Sequence, residues 1–221
     1  MSDSVVAAPV REELETMVAE ADTGGRKPTG FSKIYIFAVS LGWSLFQLWY
    51  ASPLPYKLNF GVINDGQARG IHLSFAFLLA FATFPALKSS PRNRIPITDW
   101  VLAILALCST VYLLAFYQEI SLRPGLPSSA DIVISVIGVV LLLEAARRAV
   151  GPALAIIAAI MLAYIFAGPW LPGMMGHKGA SVSRMASQIW LTSEGICGVA
   201  LGVSTNVVFF FVLFGSLLEK A

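Results

Sequence analysis

The sequence predicts an all-α fold, a polytopic membrane helix bundle of about six transmembrane helices plus a short interfacial helix. Three observations predict it. The chain is 57% hydrophobic and only 13% charged, whereas a soluble domain carries about 25% charged residues. Its mean hydropathy is +0.74. Its apolar residues gather in runs close to the roughly 20 residues a helix needs to cross a bilayer. The clearest case is Asp131–Ala167, DIVISVIGVVLLLEAARRAVGPALAIIAAIMLAYIFA, where two such runs meet at Glu144, Arg147, Arg148, Gly151 and Pro152. A soluble core helix has no use for two such runs back to back. The polar knot therefore reads as a water-side turn between two spans.

The elements follow in order. Residues 1–33 form a cytoplasmic polar tail, acidic and then basic. Within it Val10, Leu14, Met17 and Val18 share a helical face, which admits either an amphipathic helix on a surface or a solvated tail. The first span is expected over Ile34–Ala51, with Tyr35, Trp49 and Tyr50 near its ends as interfacial aromatics. Gln47 is its one amide, expected to bond across to another helix. Pro53 and Pro55 stop the helix.

The second span is expected over Gly70–Leu87, with Arg69 and His72 at its first turn. The third covers Asp99–Tyr117, with Thr98 or Asp99 available as its cap. The fourth runs from Asp131 to Ala146, with Ser128, Ser129 or Asp131 as caps. The fifth covers Pro152–Gly168, opening on a proline at a tolerated position. In SVSRMASQIWL, Val182, Met185, Ala186 and Ile189 share a face, which suits a short helix in the interface plane anchored by Trp190. The sixth span covers Gly198–Leu218.

The basic residues orient the bundle. With the amino terminus inside, ten fall on the inner side, among them Lys88, Arg92, Arg94, Arg147 and Arg148. Five fall outside: Lys57, Arg69, Arg123, Lys178 and Arg184. This asymmetry predicts a multi-pass protein with both termini cytoplasmic. Residues 34–150 read as one four-helix unit, and 151–221 as the start of a second unit that the chain does not finish.

Composition also narrows the chemistry. A net charge of +2 gives no footing for a nucleic-acid partner. Cys108 and Cys197 lie far apart in sequence and depth, so they are expected as two small buried side chains rather than a disulfide. There is no nucleotide-binding glycine loop, no metal-ligand cluster and no HExxH pair. The reading is therefore no enzyme and no cofactor.

Two groups remain as candidate sites. Glu144 lies three and four residues before Arg147 and Arg148, so the three can pair on one helical face. The alternative is that both arginines bind anionic lipid headgroups. In the last span Ser204, Thr205 and Asn206 follow Gly195, Gly198 and Gly202. Such residues either pack helices with hydroxyls bonded to the backbone, or line an ion or substrate site.

Several stretches together resemble a known family: DTGGRKPTG (Asp22–Gly30), SLFQLWYASPLPY (Ser44–Tyr56), RGIHLSFAFLLAF (Arg69–Phe81), LLLEAARRAVGPAL (Leu141–Leu154) and FFFVLFGSLLEKA (Phe209–Ala221). In order and spacing they resemble the amino-terminal part of the fused permease subunit of tripartite ATP-independent periplasmic (TRAP) transporters, of the type served by TAXI-class binding proteins. The resemblance implies a secondary transporter of organic anions in a bacterial inner membrane. Its partners would be the remaining large permease subunit and a periplasmic binding protein. It implies a four-helix support unit up to about residue 150 and the opening of a moving unit after it. Family members run on far past the position of Ala221, and their ion- and substrate-binding hairpins lie in that part. The resemblance therefore carries over no site residue and implies a mainly structural chain, inactive alone. The other reading is a scaffold or accessory subunit of an unrelated membrane complex.

Overall fold

The computed structural model describes residues 25–26, 28–87 and 90–220. The tail helix considered for residues 1–24 lies outside them. Among the described residues the chain is helical and without strands. The first helix, α1, spans Phe31–Ala51 and ends at Ser52, just before Pro53. A single turn, α2 (Leu54–Leu58), follows and closes on Asn59 in the left-handed region. Next come α3 (Asp65–Thr83), α4 (Ile97–Ala115), the short α5 (Tyr117–Leu122) and α6 (Ser129–Ala149). Helix α7 (Pro152–Ala167) runs into two 3-10 turns. Then α8 (Val182–Ala186) continues through a π turn at Ser187–Leu191. The last run is α9 (Val199–Val203), a π turn at Ser204–Val208, and α10 (Phe209–Lys220).

Five of these segments are long and apolar enough to cross a membrane: Phe31–Ala51, Ile97–Ala115, Ser129–Ala149, Pro152–Trp170 and Val199–Glu219. The remaining expected span, the second, corresponds to α3, which is long enough but carries Asp65, Gln67, Arg69 and His72 in its first half. Its position explains the polarity. Helix α3 packs against α1, α4 and α6 at once. Ala68, Gly70, His72, Leu73, Ser74 and Phe77 are all buried. A helix surrounded by protein meets little lipid, so its polar groups find partners instead of hydrocarbon.

The core runs along the α3–α4–α6 contact, through Leu73, Phe77 and Phe81, Ala103, Ala106 and Leu113, Val139, Leu141 and Ala145. Small residues set the spacing. A Cβ on Gly70 would lie 2.9 Å from the Leu114 side chain, so the glycine lets that α4 leucine rest on the α3 backbone. Ser74 Oγ donates to Thr110 Oγ1 at 2.7 Å across the same contact. Between α6 and α7 only Val150 and Gly151 intervene, and Gly151 sits at φ 107°. An L side chain there would be strained.

Helix starts agree with the sequence in part. Ser128 caps α6 and forms a capping box with Asp131. Asn64 and Gln67 form another on α3, which starts five residues earlier than expected. At α4 the expected cap is absent. Pro96 holds the cap position without a side-chain bond, and Asp99 turns to arginines instead.

Two further expectations are corrected. Trp190 does not anchor an interfacial helix. It is 2% exposed and packs in the core against Gly138 of α6, where any Cβ would overlap the indole. The apolar ring outweighs its one N–H, whose nitrogen is buried without a partner among the described residues. Cys108 is exposed on α4 rather than buried, while Cys197 is buried; both are free thiols.

Candidate functional site

The polar side chains collect at three places, of which two contain the residues singled out from the sequence. At the first, the segment before α1 meets the end of α3, the start of α4 and the end of α6. Arg26 pairs with one oxygen of Asp99. Arg148 takes the other at 2.8 Å. Arg148 also bonds Glu144 at 2.7 Å, and Arg147 bonds Glu144 at 2.7 and 2.8 Å.

Backbone carbonyls take the remaining donors. Arg26 gives Nη1 to Phe81 and Ala82, both at 3.0 Å, and Nε to Pro91 at 3.3 Å. Arg147 gives Nη2 to Ala86 at 3.0 Å. The Arg148 guanidinium lies 5.0 Å above the Phe81 ring, a cation–π geometry. Side-chain exposure falls from 38% at Arg147 and 28% at Glu144 to 2% at Arg148, 1% at Asp99 and 0% at Arg26.

The Glu144–Arg147–Arg148 pairing is thus present, and it reaches further than sequence spacing shows. Arg148 is occupied by two carboxylates and closed from the surroundings. Arg147 keeps an open flank. Arg26 and Asp99 were the unforeseen members. Their signal lies in the types: an arginine just before an apolar helix and an aspartate in the first turn of another are both costly if left unpaired in such surroundings.

The second place is the seam where α1 and α3 hold the last helical run. Trp43 and Gln47 lie four residues apart on α1 and so share a face. Trp43 Nε1 donates to His72 Nδ1 at 3.2 Å. Because the indole nitrogen only donates, Nδ1 accepts, and the neutral ring carries its proton on Nε2. That nitrogen faces Ser204 Oγ at 3.2 Å. Gln47 Nε2 donates to the Thr205 carbonyl at 2.7 Å, which is the cross-helix bond expected of it. Thr205 Oγ1 donates back to Leu201 at 2.7 Å.

The π turn accounts for this seam. A π turn adds one residue to a helical turn and disturbs the regular carbonyl ladder. Here a carbonyl within it, that of Thr205, receives the fully buried amide of Gln47. About two turns earlier, Arg69 donates to the carbonyls of Cys197 and Gly198 at 3.1 and 3.3 Å. The guanidinium lies flat on Gly202, whose Cβ would be 2.9 Å away.

Ser204 and Thr205 therefore face the bundle, and Asn206 does not. Asn206 is exposed on the outer side of the run. The three consecutive polar residues serve two different faces. Among the described residues no group of three or more His, Cys, Asp or Glu side chains is placed to hold a metal ion.

The arrangement at both places is of groups that tie elements together. At the first place both carboxylates are held by arginines. At the second Ser204 stands beside His72, but the ring nitrogen that faces it carries the proton and so donates to the hydroxyl rather than activating it. No family model, curated protein or solved structure matches the chain.

Proposed function

We propose that the chain is a membrane component of a TRAP-type secondary transporter for organic anions, acting mainly as its support. In this reading it lies in a bacterial inner membrane with both termini cytoplasmic. The remaining permease and a periplasmic binding protein supply the ion and substrate sites. One observation carries the reading. The stretches that resemble the family converge in space on ties rather than on an open site. Arg26 comes from the first stretch and Glu144, Arg147 and Arg148 from the fourth, and Asp99 joins them. Gln47 from the second and Arg69 and His72 from the third grip the run that leads into the fifth.

A buried ion network of this kind suits a unit that stays rigid while a neighbour moves. The last two long segments suit an attachment to such a neighbour. Along Pro152–Ala167 only Ala155 is buried. The face of the last run that carries Asn206 is open. An amide in hydrocarbon is costly, so a protein partner on that face would lower the free energy of the assembly.

The test is uptake by proteoliposomes holding the full chain, with and without a candidate large permease subunit and binding protein. Uptake only with the partners is expected. Sodium-driven uptake by the chain alone would overturn the support role. Isolation from native membranes in a stable complex with unrelated subunits would establish the accessory-subunit reading in its place.

A further inference from the structure

A third polar place lies at the opposite end of the bundle from Asp99. Here a cavity of about 240 Å³ opens between the start of α3, α5 with its following loop, and the segment after α8. It has room for a phosphate-bearing headgroup or a small metabolite.

Arg123 and Asp131 are the charged residues in its wall, and Tyr117, Ser187 and Ser193 add hydroxyls. Asp131 is fully engaged. It accepts the Tyr112 hydroxyl at 2.7 Å, the Ser128 amide at 2.7 Å and Arg123 Nη2 at 3.1 Å. Arg123 is not. Its side chain is 34% exposed at the cavity wall, and Asp131 engages it through Nη2 alone. A guanidinium offers five N–H groups in a rigid fork that matches phosphate and carboxylate oxygens. The guanidinium N–H groups that Asp131 leaves unpaired at the cavity wall are the positions such an oxygen fills.

The rim adds the second observation. Leu122 and Leu126, on either side of Arg123, are 86% and 75% exposed. Exposed leucines beside a guanidinium at the end of apolar helices put the cavity mouth where acyl chains meet headgroups.

We propose that this cavity binds a phosphate oxyanion through Arg123. The phosphate belongs either to an anionic phospholipid at the rim or to a free phosphate monoester. The bound oxygen takes guanidinium N–H groups that Asp131 leaves unpaired. The ligand would thereby join α5, α6 and the segment after α8.

The test uses the full chain in a phosphate-free maltoside detergent. Dihexanoyl phosphatidylglycerol, glycerol 3-phosphate and dihexanoyl phosphatidylcholine are titrated separately, with binding read by calorimetry and bound copies by native mass spectrometry. Saturable binding of one phosphatidylglycerol is expected, weakened about tenfold or more in Arg123→Gln. Arg123→Lys guards against misfolding. It keeps a cation beside Asp131 but lacks the fork, so its thermal midpoint should hold while binding falls. Arg184→Gln removes an exposed arginine elsewhere and should leave binding unchanged. Tight lipid binding without glycerol phosphate binding assigns the lipid source, and equal binding of both assigns the free phosphate. Binding that is equal for the wild type, Arg123→Lys and Arg123→Gln, or that falls as much in Arg184→Gln, overturns the proposal.

Discussion

At one end of the bundle Asp99 lies between two guanidinium groups that are each at most 2% exposed. At the other end Asp131 faces one guanidinium, that of Arg123, which is 34% exposed and lines an open cavity. Both aspartates are 1% exposed and both sit in the first turn of a long helix. The difference lies in who completes them. Asp131 is held by its own capping box and a tyrosine as well as by Arg123. Asp99 has no local cap and depends on distant arginines. The first arrangement fixes one helix start and leaves a cation partly free. The second fastens three helices and the preceding segment together.

Removing each aspartate is the sharpest way to test that contrast. Asp99→Ala strands Arg26 and Arg148 in a dry site, where breaking a buried pair costs about 3–5 kcal/mol. We expect a loss of that size, read as unfolding of the detergent-solubilised chain in increasing dodecyl sulfate. Asp131→Ala costs about 1–3 kcal/mol, because it loses a capping partner but leaves an arginine that water reaches. Equal losses would erase the distinction between the two ends.

The second expectation concerns the core between those ends. Gly138→Leu forces the buried Trp190 indole away from α6. Overpacking of this kind costs about 1–3 kcal/mol. Quenching of tryptophan by a membrane-soluble agent should rise with it, since the displaced ring leaves the bundle. Unchanged quenching would mean that Trp190 has room in the structure that the Gly138 contact denies.

The same residues show where the sequence was legible. Runs of about twenty apolar residues state the membrane class and most helix positions directly. The Ser128–Asp131 box is a local pattern, readable from spacing alone. Asp99 also has the local form of a cap, but burial gives it a different role. Its partners lie 73 and 49 positions away, and spacing within one helix says nothing of them. Trp190 misleads for a related reason. An aromatic beside a polar loop fits an interfacial belt as well as a core pocket, and Gly138, which makes the pocket, is 52 residues earlier in the chain.

The third expectation probes the seam at the π turn. Gln47→Leu keeps the volume but removes the donor to the Thr205 carbonyl, leaving a buried acceptor unpaired. About 1–2 kcal/mol should be lost. If the amide is what holds the last run on α1, a cysteine placed at Thr205, buried in the structure, should react faster with a membrane-permeant maleimide in the Gln47→Leu background. A loss confined to global stability, with unaltered labelling, would assign Gln47 to packing rather than to docking.

The smallest effect is expected at Arg147, and it tells most about the inner network. Arg147 makes three hydrogen bonds, more than many core residues, so a count of contacts ranks it as important. Exposure ranks it otherwise. Its side chain is 38% exposed, so water and salt compete for both it and Glu144, and exposed pairs of this kind are worth about 0–1 kcal/mol. Glu144 would still hold Arg148 in Arg147→Gln. Arg148→Gln, by contrast, takes one of its two cations from buried Asp99. We expect Arg147→Gln to change stability by under about 1 kcal/mol, with most of that change disappearing at high salt. Arg148→Gln should cost several times more and respond little to salt. A salt-insensitive loss at Arg147 as large as that at Arg148 would mean that the network acts as one unit, and that exposure does not divide it.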